Sequence, residues 1–180
     1  MPSSPGHLFL TGYRGSGKSS VAHQLGLDLG LDAIDLDDQI EARAGCSIRD
    51  IFATAGEAGF RDREQAALEA VAAGPLAVIA LGGGAVLRQA NRQTIRRSGL
   101  CVWLDADAAT LAARIRGDAL SAMRRPALTE LPPEEEVQRL LTERQPLYAE
   151  VAALRVETPG QSVVVIAETI LAWLDEQLAG

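Results

Sequence analysis

Cysteine and histidine are scarce in this chain, and their scarcity removes whole classes of chemistry. The two cysteines, Cys46 and Cys101, lack metal-ligand spacing, and a reducing cytoplasm is the expected compartment. The two histidines, His7 just before the first strand and His23 on the first helix, argue against a His-based metal centre and read as surface or boundary residues. Long apolar runs are missing as well. None approaches the ~20 residues needed to cross a bilayer, and the chain opens without a secretory signal pattern, so no membrane association is expected. Positive charge is in deficit: 17 Lys and Arg against 24 Asp and Glu leave a net charge of −7. Nucleic acid and anionic membranes would be repelled by that overall field, so an anionic ligand must be held by local basic groups.

What the chain has is enough apolar material for a core. With 180 residues and 47% hydrophobic content, it suits one domain spanning residues 1–180. Short apolar runs alternate with longer amphipathic ones, the order expected of an α/β domain built on a mainly parallel sheet. Five strands are expected, over His7–Thr11, Asp32–Asp35, Ala77–Leu81, Leu100–Leu104 and Leu154–Glu157. Ala-rich stretches at Gln65–Ala73 and Ala108–Arg116 favour helix, with Gly74 and Gly117 as natural stops. Val21, Leu25 and Leu29 recur at helical spacing, as do Val163, Ile166, Ile170 and Leu174 near the end, where Trp173 joins the packing. The leader from Met1 to Gly6 is expected to fray.

The first strand runs directly into Gly12-Tyr13-Arg14-Gly15-Ser16-Gly17-Lys18-Ser19, an uninterrupted match to the phosphate-binding pattern G-x-x-x-x-G-K-[ST]. Its glycines let successive amide N–H groups converge on a phosphate, while the helix that follows turns its positive end to the same anion. Lys18 reaches the β- and γ-phosphates, and Ser19 offers its hydroxyl to Mg²⁺. This loop implies a nucleoside triphosphate, but it does not separate a switch, a motor and a small-molecule kinase.

Other constellations narrow the choice. Asp35 and Asp37, with Asp38 next, emerge at the carboxyl end of the second strand, where open α/β sheets bind ligands. Strand alternation would set Asp35 and Asp37 on one side, one helping to hold Mg²⁺ and the other accepting a proton from an attacking hydroxyl. Helix capping is the alternative use for Asp37 or Asp38. Gly82-Gly83-Gly84 closes the third strand and suggests a close approach of backbone to a substrate, with a bare tight turn as the alternative. Arg61 can pair with Glu64, with a substrate carboxylate, or with both. Arg144 falls on the same helical face as Val137, Leu140, Leu141 and Tyr148, where a guanidinium needs a carboxylate or phosphate partner. Pro146 is expected to kink or break that helix and turn Arg144 toward a cleft. Between Gly117 and Leu131 the helical pattern lapses into a segment suited to a lid over ATP, with Arg125 assigned to the lid and Arg116 and Arg124 read as solvated surface arginines.

Together these motifs resemble the shikimate kinase family along nearly the whole chain. The phosphate loop is shared by many NTPases; the diagnostic set is Asp35-Leu36-Asp37, Ser47-Ile48 through Ile51-Phe52, Gly59-Phe60-Arg61 with Glu64, Gly82-Gly83-Gly84, Arg125-Pro126, and Arg144 with Pro146-Leu147-Tyr148. The resemblance implies a three-layer P-loop fold: a five-stranded parallel sheet flanked by helices, with a phosphate loop at 12–19, a substrate-binding segment at about 37–63 and a lid at about 117–131. It implies transfer of the γ-phosphoryl of ATP to the 3-hydroxyl of shikimate by a cytoplasmic monomer. Arg14, Gly15, Ser16, Gly17, Lys18, Ser19 and Ser20 would surround the phosphates, with Arg114 and Arg125 also on ATP and with Lys18, Asp37 and Arg125 catalytic. Ser19 and Asp35 would serve Mg²⁺. Arg61 and Arg144 would share the substrate carboxylate, Gly82, Gly83 and Gly84 would meet a ring hydroxyl, and Ile48, Phe52 and Phe60 would pack on the ring. In the lid, Ala127 and Glu130 depart from the commoner family residues, and an adenine contact near Gln161 stays open. A gluconate kinase on the same scaffold is the nearest alternative, and a nucleotide-controlled binding module is the alternative from another class.

Overall fold

A computed structural model of the chain describes residues 6–118 and 132–179. Five parallel strands form one sheet: β1 His7–Thr11, β2 Asp32–Asp35, β3 Ala77–Ala80, β4 Gly99–Asp105 and β5 Leu154–Glu157, in the order β2-β3-β1-β4-β5. The expected strands are all present. Only β3 stops a residue early, and β4 runs one residue further at each end.

Seven helices are present among the described residues: α1 Lys18–Leu29, α2 Leu36–Ala44, α3 Ile48–Ala72, α4 Gln89–Ser98, α5 Ala108–Gly117, α6 Pro133–Val151 and α7 Val163–Ala179. Strand alternation divides the core into two layers. Leu8, Leu10, Val78, Ala80, Val102 and Leu104 point to the side covered by α1 and α7. Phe9, Ile79, Cys101 and Trp103 point to the side covered by α2, α3, α4 and α6. Both faces are dry, which is why these strands read as continuous apolar runs. Each fully buried Leu or Ile in these layers contributes about 1.5–3 kcal/mol.

The topology fixes where a ligand can sit. β1 lies between β3 and β4, so the chain reverses its direction of travel across the sheet at β1. Open parallel sheets leave a crevice beyond the strand ends at such a point. Three segments converge there: the loop after β1, the entry to α2 after β2, and Gly82–Gly84 after β3.

Several local expectations are corrected. The helix expected over Gln65–Ala73 is the end of a much longer α3, which is interrupted at Gly56 (φ 65°, ψ −171°), a conformation an L side chain resists. Pro146 does not break α6, which continues to Val151. Leu147, Tyr148 and Val151 are packed in the core beyond it and hold the last turn. Leu29 is exposed at 38%, so the apolar face of α1 ends at Leu25. His7 is buried within β1 rather than lying at the boundary. Its Nδ1 accepts from the Ala77 N–H at 3.2 Å and its Nε2 lies 3.2 Å from the Ala72 carbonyl. Because an amide can only donate and a carbonyl only accept, the ring carries its proton on Nε2. The imidazole thereby ties the end of α3 to the start of β3.

Candidate active site

The crevice is a cavity of about 510 Å³ lined by Arg14, Gly15, Gly17, Lys18, Ser19, Ser20, Asp35, Asp37, Leu81, Gly82, Gly83, Arg114 and Asp118. Its floor is the loop between β1 and α1, which has positive φ at Gly15 (83°) and Gly17 (93°). Gly17 stands at the N-cap of α1 with no side-chain cap, so the helix opens on bare amides. Lys18 Nζ donates to the Tyr13 carbonyl at 2.9 Å and to Ser16 Oγ at 3.4 Å, which draws the side chain back over its own loop.

Ser19 Oγ donates to Asp35 Oδ2 at 2.5 Å, joining the start of α1 to the end of β2. Asp35 Oδ1 accepts from the Asp37 N–H at 2.9 Å, so the capping residue of α2 is Asp35 rather than Asp37 or Asp38. Asp37 therefore belongs to the first turn of a helix, not to a strand. The expected alternation fails because β2 ends at Asp35. Asp37 still lines the cavity. A hydroxyl and a carboxylate side by side at the loop's mouth form a hard oxygen donor set that suits Mg²⁺. Among the described residues no group of three or more His, Cys, Asp or Glu side chains forms a metal cage. Two protein ligands plus phosphate oxygens are nonetheless the usual Mg²⁺ arrangement.

Arg114, on α5, closes the far side. Its Nη1 donates to the Gly15 carbonyl at 3.3 Å and to Thr158 Oγ1 at 3.0 Å, and its Nη2 donates to the Thr158 carbonyl at 3.2 Å. One guanidinium thus joins the phosphate loop to the turn between β5 and α7. Thr158 entered the sequence reading only as the start of the stretch Thr158–Gln161, where the adenine contact stayed open; its bond to Arg114 was not foreseen, since a lone threonine after a strand carries no periodic signal.

The two arginines assigned to a carboxylate differ sharply in surroundings. Arg61, on α3, is 7% exposed and is held by two glutamates. Its Nη1 donates to Glu64 Oε2 at 2.8 Å, while Nε and Nη2 lie 3.3 and 3.2 Å from Glu57 Oε1. The partner expected from sequence was Glu64; Glu57 was missed, although its i,i+4 spacing before Arg61 on a helix was the available signal. Arg144, on α6, is 6% exposed, and its guanidinium lies 5.6 Å from the centroid of the Tyr13 ring. Among the described residues Arg144 forms no ion pair. Burial holds the Tyr13 hydroxyl above the ordinary tyrosine range, and the charge of Arg144 pulls it partly back.

Tyr148 stands one turn beyond Arg144 on α6 and is fully buried, its hydroxyl donating to the Gly83 carbonyl at 2.6 Å. That contact fixes the Gly83–Gly84 peptide relative to α6. Phe52 and Phe60 stack with centroids 4.8 Å apart, but Phe60 and Ile48 are core residues with 1% and 0% exposure. Only Phe52 of the three retains half-buried surface. Arg61, Arg144, Ile48, Phe52, Phe60 and Gly84 lie outside the lining of the described cavity. Arg125 and the expected lid beyond Asp118, including Arg124, Ala127 and Glu130, lie outside the described residues, as does the leader before Gly6. Arg116, at its entrance, pairs with Glu134. No helix among the described residues is long and apolar enough to cross a membrane.

A family model described as shikimate kinase matches residues 14–175. A shikimate kinase from Rhodopirellula baltica is 52% identical over 167 residues, covering 93% of this chain and 89% of its own length. The structure of a shikimate kinase from Acinetobacter baumannii in complex with shikimate superposes with a TM-score of 0.90 at 32% identity, covering 97% of this chain and 95% of the other. A gluconokinase from Sinorhizobium meliloti shares the fold at a TM-score of 0.62 and 20% identity, with 97% and 96% of the two chains covered.

Proposed function

This chain belongs to the shikimate kinase family, an ATP-dependent kinase acting on an alcohol, and on that premise we propose how its residues divide the reaction. The γ-phosphoryl of ATP passes to the 3-hydroxyl of shikimate, giving 3-phosphoshikimate and ADP. The observation that carries this assignment is a single one: Asp37 and Gly82–Gly83 share the crevice with Lys18, Ser19 and Arg114. Acceptor and nucleotide groups are therefore within reach of one another across a space of small-molecule size.

The loop amides from Arg14 to Ser20 bind the phosphates, and Lys18 leaves the Tyr13 carbonyl to neutralise charge that grows on the transferring group. Asp37 accepts the hydrogen bond of the attacking hydroxyl and takes up its proton as the new O–P bond forms. Ser19 and Asp35 would hold Mg²⁺, which would offset the charge of the phosphates. Arg61 and Arg144 bind the substrate carboxylate from two elements, while Gly82, Gly83 and Gly84 bring backbone to the ring. Ile48 and Phe60 act from the core by supporting Phe52 against the ring. Arg125, by its place in the motif, serves ATP. A monomer working in the cytoplasm completes the proposal.

A coupled ADP-release assay across shikimate, gluconate and nucleoside monophosphates tests the reading. Turnover with shikimate alone is expected. Turnover with gluconate and none with shikimate would transfer the chain to the gluconokinase side of the same fold, and ATP hydrolysis indifferent to all acceptors would favour a nucleotide-controlled module.

A further inference from the structure

The guanidinium of Arg61 has no open edge. Glu64, fully buried, takes Nη1 at 2.8 Å. Glu57 takes Nε and Nη2 through a single oxygen at 3.3 and 3.2 Å. The remaining Nη1–Nη2 side faces Gly84, where a Cβ would fall 2.6 and 2.5 Å from the two nitrogens. A substrate carboxylate bound by Arg61 must therefore displace one of these neighbours, and they are not equally displaceable.

Removing the carboxylate of Glu64 from Arg61 would strand a buried charge. Glu57 differs: its side chain is 57% exposed, so its carboxylate can return to water at little cost. Its contact is also the weaker one, a single oxygen shared between two donors, whereas a ligand carboxylate can offer both oxygens to the same edge in the stronger paired geometry. Glu57 further sits one residue after Gly56, whose left-handed φ interrupts α3 and sets Glu57 at the start of the second helical stretch.

We propose that Glu57 is a displaceable stand-in for the substrate's carboxylate: it satisfies Arg61 in the empty enzyme, competes with the incoming acid, and so sets affinity and selectivity at this subsite. A neutral ligand cannot take its place, because it would leave Arg61 with a poorer partner than the one it lost. The inference rests on the reading that Arg61 binds the substrate carboxylate.

The test is equilibrium binding of shikimate by titration calorimetry to the full chain, for wild type, Glu57→Gln, Arg61→Ala and the double variant. Removing the competitor in Glu57→Gln is expected to tighten binding by about two- to fivefold, the size an exposed ion pair can supply. Arg61→Ala is expected to weaken binding at least tenfold, and Glu57→Gln should have no further effect in that background. Unchanged or weaker binding in Glu57→Gln, beside a large loss in Arg61→Ala, overturns the role of Glu57 and leaves the anchor standing. Unchanged binding in Arg61→Ala removes the anchor itself and this inference with it. Thermal melts of each variant exclude loss of fold as the cause, and Glu57→Gln, being an exposed substitution, is expected to melt with wild type.

Discussion

The guanidinium of Arg61 occupies the space that a side chain on Gly84 would need, with its Nη2 and Nη1 2.5 and 2.6 Å from the Cβ position. Gly84 thus forms part of the arginine's seat, and the run of three glycines after β3 serves an arginine from a distant helix. Gly84→Ala should push Arg61 off Glu64 and raise the shikimate KM about tenfold, equivalent to ~1.4 kcal/mol. The ATP KM should hardly move. Crowding of the seat should also cost about 1–3 kcal/mol of stability, read from denaturant unfolding. Equal loss on both substrates would mean that the turn, not Arg61, had been disturbed.

Asp35 and Asp37 lie two residues apart but do different work, and substitutions should separate them. The Asp37 N–H donates to Asp35, so Asp35 holds both Ser19 and the start of α2, while Asp37 lines the cavity. Asp37→Asn should lower kcat by about 10²–10⁴ with ATP affinity preserved, because it deletes proton acceptance and leaves the phosphate loop intact. Asp35→Asn retains a capping oxygen and should leave the melting temperature nearly unchanged. Its signature should be a higher Mg²⁺ concentration for half-maximal rate. An unchanged Mg²⁺ titration would take Asp35 out of the metal site.

Tyr148 links substrate-side elements through one buried contact. Its hydroxyl donates to the Gly83 carbonyl at 2.6 Å, so Tyr148→Phe leaves that carbonyl without its partner in the core. About 1–3 kcal/mol of stability should be lost. Because the peptide held there belongs to the glycine turn, the shikimate KM should rise while kcat at saturation stays within about twofold, as expected for lost uniform binding. A fall in kcat alone would place the tyrosine's effect on the chemical step instead.

The inner strands β1, β3 and β4 were readable because burial on both faces leaves an unbroken apolar signature, as in Leu8–Leu10 and Val102–Leu104. The phosphate loop was readable because its backbone chemistry demands glycine and lysine at fixed spacing. Readability failed where a tertiary neighbour decides. Pro146 lies inside α6 because Tyr148 and Val151 are anchored beyond it. His7 is buried because two backbone groups from α3 and β3 meet its ring. Asp37 is helical because the side chain of Asp35 caps it, a contact that alternation along β2 cannot express. The interruption of α3 at Gly56 was likewise hidden, since no periodicity foretells a single residue of positive φ.

Arg144 presents the clearest opposition between stability and function. It is 6% exposed, stacked near Tyr13, and lacks a carboxylate among the described residues, whereas Arg61 is bound to a glutamate that is itself fully buried. Removing a buried cation with no counter-ion relieves a desolvation cost, while the lost contact with the Tyr13 ring takes back about 0.5–2 kcal/mol. Arg144→Met should therefore stay within about 1 kcal/mol of wild type in denaturant unfolding. Arg61→Met should cost about 3–5 kcal/mol, because it strands Glu64 in the core. Both should raise the shikimate KM at least tenfold. That pairing of results is what a ligand carboxylate predicts: an arginine the fold can dispense with but the reaction cannot. If Arg144→Met unfolds as readily as Arg61→Met, or binds shikimate as tightly as wild type, Arg144 is a structural residue and the carboxylate rests on Arg61 alone.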